Sequence, residues 1–171
     1  MNEVSNLITH RKNFFASLFL LLSTISAGAL VSGTDAGLAY NTFPYMGDSL
    51  LPPILVDEGK VYLEKLLNDQ GFLQFVHRVL ATFTVLFILH TIFKASKDGL
   101  FDNFKIMFKL LLSAILLQYI LGIVILKLYV PIYLGLMHQL GGLILLTLII
   151  ISISEIQRGI EGARITRSAK T

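Results

Sequence analysis

The sequence predicts an all-α membrane protein: a four-transmembrane-helix bundle with a long outer loop between helices 1 and 2. Three observations carry this. Hydrophobic residues make up 54% of the 171 residues and charged residues 15%, against about 25% charged in a soluble domain. Mean hydropathy is +0.73. Four stretches approach or exceed the roughly 20 mostly apolar residues that a membrane-crossing helix requires. The same composition excludes intrinsic disorder, which needs polar, charged sequence, and argues against a water-soluble enzyme. The length fits a single membrane domain over residues 1–171. With Cys 0, no disulfide, thiolate metal site or cysteine nucleophile is available. The net charge of +3 is small, so no nucleic-acid partner is expected and the first partner is membrane lipid.

The first span is Phe14 to Val31, which is uncharged. Arg11 and Lys12 before it, with Ser26 to Ala29 near its end, mimic a signal peptide. The apolar run continues through Val31 and is long for an h-region, so it reads as a retained span. The second span is Leu73 to Phe93, apolar except for His77, Arg78 and His90. The third is Ile106 to Leu126, with Lys109 near its start. The fourth is Ile132 to Ile153, which holds His138 and Gln139 but no full charge.

Lys and Arg placement sets direction. Arg11, Lys12, Lys94, Lys97, Lys105, Lys109, Arg158, Arg164, Arg167 and Lys170 fall on one side. Lys60, Lys65, Arg78 and Lys127 fall on the other. Both termini are therefore expected in the cytoplasm, with Ser32–Phe72 and the turn at Pro131 outside. A loop this long is usually functional. Its Tyr40, Phe43, Pro44, Tyr45, Met46, Leu51, Pro52 and Pro53 predict a cap on the bundle rather than a linker. Val61 to Leu67 is expected to form a short interfacial helix, with Val61, Tyr62, Leu66 and Leu67 toward lipid.

Depth sorts the four histidines. His10 falls in the N-terminal tail. His77 and His138 each lie a few residues inside the outer end of a span. His90 lies 13 residues past His77, roughly 20 Å deeper at 1.5 Å per residue. Two imidazoles at one depth on two helices running the same way suit axial ligation of a haem, one ligand from each side. Metal-binding candidates are thus His77 and His138. Gly28, Gly122, Gly135, Gly141 and Gly142 are candidates to make room for the ring. Arg78 is a candidate cofactor-binding residue through a haem propionate, with Lys127 a second. The plainer reading is that each polar residue simply faces the bundle interior and each glycine serves helix packing. Zinc is disfavoured, because two histidines without a carboxylate rarely complete a tetrahedral site. No catalytic residue is assigned, since no paired carboxylates or Ser–His–acid set stands at membrane depth. Asp35, in Gly33-Thr34-Asp35-Ala36-Gly37, reads as a solvated helix-ending turn or as part of a proton path.

The run from Gly28 to Pro44, with Met46 and Pro52-Pro53 after it, closely resembles the outer loop that opens the second half of haem A synthases. Phe75-Val76-His77-Arg78 resembles the family's histidine–arginine motif, and Met137-His138-Gln139-Leu140-Gly141 its last histidine motif. The likeness covers nearly the whole chain and fits the proteobacterial and mitochondrial type. It implies an oxidoreductase of haem biosynthesis in the bacterial inner membrane. The family's enzyme has eight spans in two similar halves and oxidises the C8 methyl of haem O to the formyl of haem A. One half holds the substrate haem and a catalytic glutamate. The other holds a haem b between two histidines, and this chain resembles that half, with His77 and His138 on the ligand positions. The first half's histidines and glutamate have no counterpart in these residues. The resemblance therefore implies a separately supplied N-terminal half, a second copy of this chain, or a fragment. A stand-alone membrane cytochrome b and a haem-free assembly protein are the alternatives.

Overall fold

A computed structural model describes residues 3–56 and 63–169. Long helices dominate it. Helix α1 spans Glu3–Gly33, α2 Leu63–Asn68, α3 Gln70–Lys97, α4 Leu100–Lys127 and α5 Ile132–Ser168. Two short 3-10 turns, Ala36–Leu38 and Pro53–Leu55, lie in the outer loop. Among the described residues the sole β-type pairing is one bridge, Met46 with Ser49. Helices α1, α3, α4 and α5 are each long and apolar enough to cross a membrane. The four-span, all-α expectation therefore holds.

The helices outrun the apolar stretches. Helix α5 has 37 residues, about 55 Å at 1.5 Å per residue, against a hydrocarbon core of about 30 Å. Helix α1 begins 11 residues before Phe14. His10, expected in a tail, is therefore inside α1, fully buried, and its Nε2–H donates to Asp98 Oδ2 at 2.9 Å. Arg11 donates to Gln157 Oε1 from the same end of α1. The residues called tail are helical because these polar partners and Leu7, Ile156 and Ile160 give them something to pack on.

Packing orders the long helices as a ring. Helix α1 packs on α3 and α5, and α4 also packs on α3 and α5. Thus α3 and α5 run the same way on opposite corners. The main apolar cluster lies toward the half of this ring that holds the termini. Its members are Leu7, Phe14 and Leu21 of α1, Ile88, Ile92 and Ala95 of α3, Leu100, Phe108, Leu111 and Ile115 of α4, and Leu145, Ile149, Ile156 and Ile160 of α5. Phe14 and Phe108 stack across the centre with centroids 6.0 Å apart.

Sharp turns close each end. Asp98 ends α3, and Gly99 with φ +81° starts α4, a conformation glycine adopts without Cβ strain. At the other end Tyr129 and Val130 take φ of 60° and 55°, which is costly for a β-branched valine. Val130 is held there against Gly37, where an added Cβ would meet Val130 Cγ2 at 3.2 Å. Asp35 is exposed with φ 56° just past α1, which is the solvated helix-ending turn.

Candidate haem-binding site

The half of the bundle away from the termini is built of different residues. Where the other half has Leu, Ile and Phe, this half turns Thr24, Gln74, Thr84, Gln118 and both histidines inward. His77 lies seven residues past Gln70 at the start of α3, and His138 six past Ile132 at the start of α5. The two therefore share a depth on opposite corners of the ring.

Each imidazole sits over a glycine of a neighbouring helix. A Cβ added at Gly28 of α1 would stand 3.0 Å from His77 Cε1, and one at Gly122 of α4 would stand 3.1 Å from His138 Cε1. Both distances are too short for an unshifted side chain. The sequence reading gave these glycines to the ring of a cofactor. The structure gives them to the histidines themselves.

The rings differ in what holds their second nitrogen. His77 Nδ1 lies 3.2 Å from the carbonyl oxygen of Thr24. A carbonyl can only accept, so Nδ1 carries the proton and Nε2 keeps its lone pair. That is the usual arrangement of a metal-ligating imidazole. His138 Nδ1 is buried without a partner among the described residues. The backbone of His138 is tied instead, since Gln118 Nε2 donates to its carbonyl at 2.8 Å.

The remaining glycines near His138 do not open a common space. Gly141 receives the Gln118 side chain, whose Oε1 would overlap a Cβ added there. Gly142 is buried beside Gln118 and Ile25. Only Gly135 faces open space, with nothing within 4 Å. The expectation that Gly141 and Gly142 leave room for a ring is corrected: Gln118 and α1 fill it.

Arg78 is spent on the outer loop. Its Nη1 donates to the carbonyls of Thr42 at 2.9 Å and Tyr45 at 3.2 Å, and its Nη2 to Tyr40 O and Gln74 Oε1, both at 2.8 Å. Gln74 Nε2 donates to the carbonyls of Ala36, Gly37 and Tyr40. The loop thus hangs on one face of α3, and Tyr40 lies against Gly71 there. It reaches α4 through Asn41 Nδ2 on Leu126 O at 2.9 Å and through Phe43 edge-on to Tyr119. All four acceptors of Arg78 are neutral, and among the described residues no carboxylate pairs with it. Its Nε is buried and unpartnered.

His90 is exposed on α3. Leu66 and Leu67 fall in α2, where Leu67 is exposed and Leu66 half-buried, while Val61 and Tyr62 lie outside the described residues. Lys170 does too. Among the described residues no group of three His, Cys, Asp or Glu side chains could enclose a metal ion. Sequence reasoning missed Thr24, Thr84, Gln74 and Gln118. Their polar character inside apolar runs was the available signal.

Two imidazoles at one depth, one with its Nδ1 donating to a carbonyl, have the donor chemistry that would hold a haem iron. The glycine seats, outside the main apolar cluster, fit the same group.

Comparison with known proteins agrees. Residues 1–150 match the family model COX15-CtaA, described as cytochrome oxidase assembly protein. The chain is 34% identical over 158 residues to the Heme A synthase COX15 of Bos taurus, covering 92% of this chain and 38% of that one. It is 39% identical over 140 residues to the Heme A synthase of Rhodospirillum centenum, covering 82% and 37%. It is 37% identical over 135 residues to the Heme A synthase COX15 of Arabidopsis thaliana, covering 79% and 29%. The chain thus spans under two fifths of the length of these relatives. No solved structure matches it. A match over most of the chain, together with these relatives, places the protein in the COX15-CtaA family, the family of the haem A synthases.

Proposed function

We propose that this chain is the haem b-binding half of a haem A synthase, acting in the oxidation of haem O to haem A for cytochrome oxidase assembly. His77 and His138 are the residues that would hold the haem iron. The carrying observation is the facing pair: two imidazoles at equal depth on opposite, co-directional helices, each seated on a glycine in the half of the bundle outside the main apolar cluster.

When bound, haem supplies one-electron redox chemistry at the iron. The rest belongs to the protein. Thr24 O fixes the His77 tautomer and aims Nε2 inward. Gln118 fixes the backbone at His138. The outer loop, held by Gln74 and Arg78, covers the end of the bundle and keeps water from the site. Arg78 has no acidic partner, and a propionate arriving at the outer end offers its charge one. Lys127, exposed at the end of α4, is the second such cation.

Oxidation of haem O needs a catalytic centre besides the His77–His138 pair, supplied by a partner half or built together with a second copy of this chain. The charge placement supports both termini facing the cytoplasm, and the membrane of this reading is the bacterial inner membrane.

The test is a reduced-minus-oxidised visible spectrum with a pyridine haemochrome assay on the detergent-purified chain. A low-spin haem b signal near one haem per chain is expected, lost or severely reduced in both His77→Ala and His138→Ala. Full haem content in both variants would overturn the ligand assignment.

A further inference from the structure

We infer that Thr24 and Thr84 form the positioning element for His77, fixing α1 against α3 so that the Thr24 carbonyl meets the imidazole Nδ1–H. This deepens the haem-binding reading and rests on it.

The two hydroxyls meet at 2.8 Å across the α1–α3 contact. Both are buried, Thr24 at 9% and Thr84 at 2% exposure. Two hydroxyls have two protons, and three contacts compete for them. Thr24 Oγ1 lies 2.8 Å from Leu20 O, and Thr84 Oγ1 lies 3.3 Å from the same carbonyl. The two short contacts are satisfied together in one way. Thr24 donates back to Leu20 O, and Thr84 donates to Thr24 Oγ1. The long contact is then the one without a proton of its own. The bond from Thr84 is therefore a directional link between helices in a span where apolar packing carries no direction.

That link and the histidine contact share one residue. Thr24 receives α3 twice: on its side chain from Thr84, and on its backbone from His77. The Thr24 carbonyl has a second lone pair for His77 beside the one its own helix uses. Gly28, one turn further along α1, leaves the imidazole room to reach it. A shift or rotation of α1 changes the 3.2 Å contact to His77. His138 has no equivalent, since its Nδ1 is unpartnered among the described residues. The effect is therefore confined to one of the two ligands.

A donating Nδ1–H makes an imidazole the stronger donor at Nε2 and favours the more oxidised iron. Thr24→Val and Thr84→Val keep shape and remove the hydroxyl. Each is expected to raise the midpoint potential of the bound haem and to weaken haem retention by about tenfold. Thr84→Ser is expected to restore both. The double valine variant should move the potential no further than either single one, because both break the same link. The measurements are redox titration and low-spin EPR of the purified, haem-loaded chain, with His77→Ala run beside them. If His77→Ala loses its haem while both valine variants keep the wild-type potential and EPR signal, the positioning role is wrong and the ligand reading stands. If His77→Ala keeps its haem, the ligand reading itself fails. A potential shift that serine does not rescue assigns the effect to packing and overturns the inference.

Discussion

At the scale of single residues the site rests on absent atoms as much as on present ones. Gly28 and Gly122 matter because a methyl group at either would press on a histidine ring at 3.0 or 3.1 Å. Two effects of an alanine there oppose each other. Helix propensity gains about 1 kcal/mol over glycine, while overpacking a buried contact costs roughly 1–3 kcal/mol. The steric effect is expected to win most clearly at Gly28, because the His77 ring is also held by its bond to Thr24. Gly28→Ala and Gly122→Ala are expected to lower the thermal midpoint in detergent and to cut haem content. Gly162→Ala, in the extension of α5 with nothing within 4 Å, is the matched control and should hold or gain about 1 kcal/mol. Melting curves and pyridine haemochrome values for the three variants decide it. Equal behaviour of all three would show that the glycines are ordinary packing residues.

At the scale of elements, the outer loop is fixed to α3 by two side chains one turn apart, Gln74 and Arg78. Together they satisfy the carbonyls of Ala36, Gly37, Tyr40, Thr42 and Tyr45. A guanidinium reaches acceptors in several directions at once, and a lysine ammonium is a point charge on a flexible stem. Arg78→Lys should therefore free the segment from Tyr40 to Tyr45. Hydrogen bonds from charged donors contribute about 1.5–3 kcal/mol each, so the loss is large beside the stability of a loop. Faster cleavage within residues 34–56 under limited proteolysis, with the spans still protected, is the expected result. Unchanged cleavage would show that Gln74 and Tyr40 suffice. The motif at His77-Arg78 was legible in the sequence, and so were the spans, because a membrane fixes helix length and 1.5 Å per residue fixes depth. The loop clamp was not legible, because three of the four acceptors of Arg78 are backbone carbonyls 33 to 38 residues away. Thr24, Gln118 and the burial of His10 were hidden for a related reason. Each depends on how far one helix is rotated against its neighbour. Apolar runs that are hydrophobic all round carry no period to set that rotation.

At the scale of the whole molecule, the bundle divides its two tasks along its length. The terminal half packs Phe14, Phe108, Leu111, Ile149 and their neighbours into an aliphatic core, which holds the four helices together. The other half turns histidines, glycines and buried hydroxyls inward, a poor choice for stability alone. Large apolar side chains such as Phe19, Phe83, Ile106, Leu117 and Leu140 remain exposed on the outside, where lipid or another membrane segment covers them. On the proposed reading the bundle holds one cofactor. Within its apolar stretches, 14–31, 73–93, 106–126 and 132–153, however, it presents no carboxylate for a second reaction centre, and it spans 37% of the Rhodospirillum centenum relative. Expressed alone in a host that makes haem O, the chain should therefore bind haem b and form no haem A. Co-expressed with the N-terminal portion of that relative as a separate chain, it should yield haem A, and His77→Ala or His138→Ala should abolish the yield. Haem analysis by chromatography of extracted membranes reads both arms. Haem A from the chain alone would mean that it, or two copies of it, carries the whole activity. Haem A formed equally well by the N-terminal portion without this chain would remove it from the reaction.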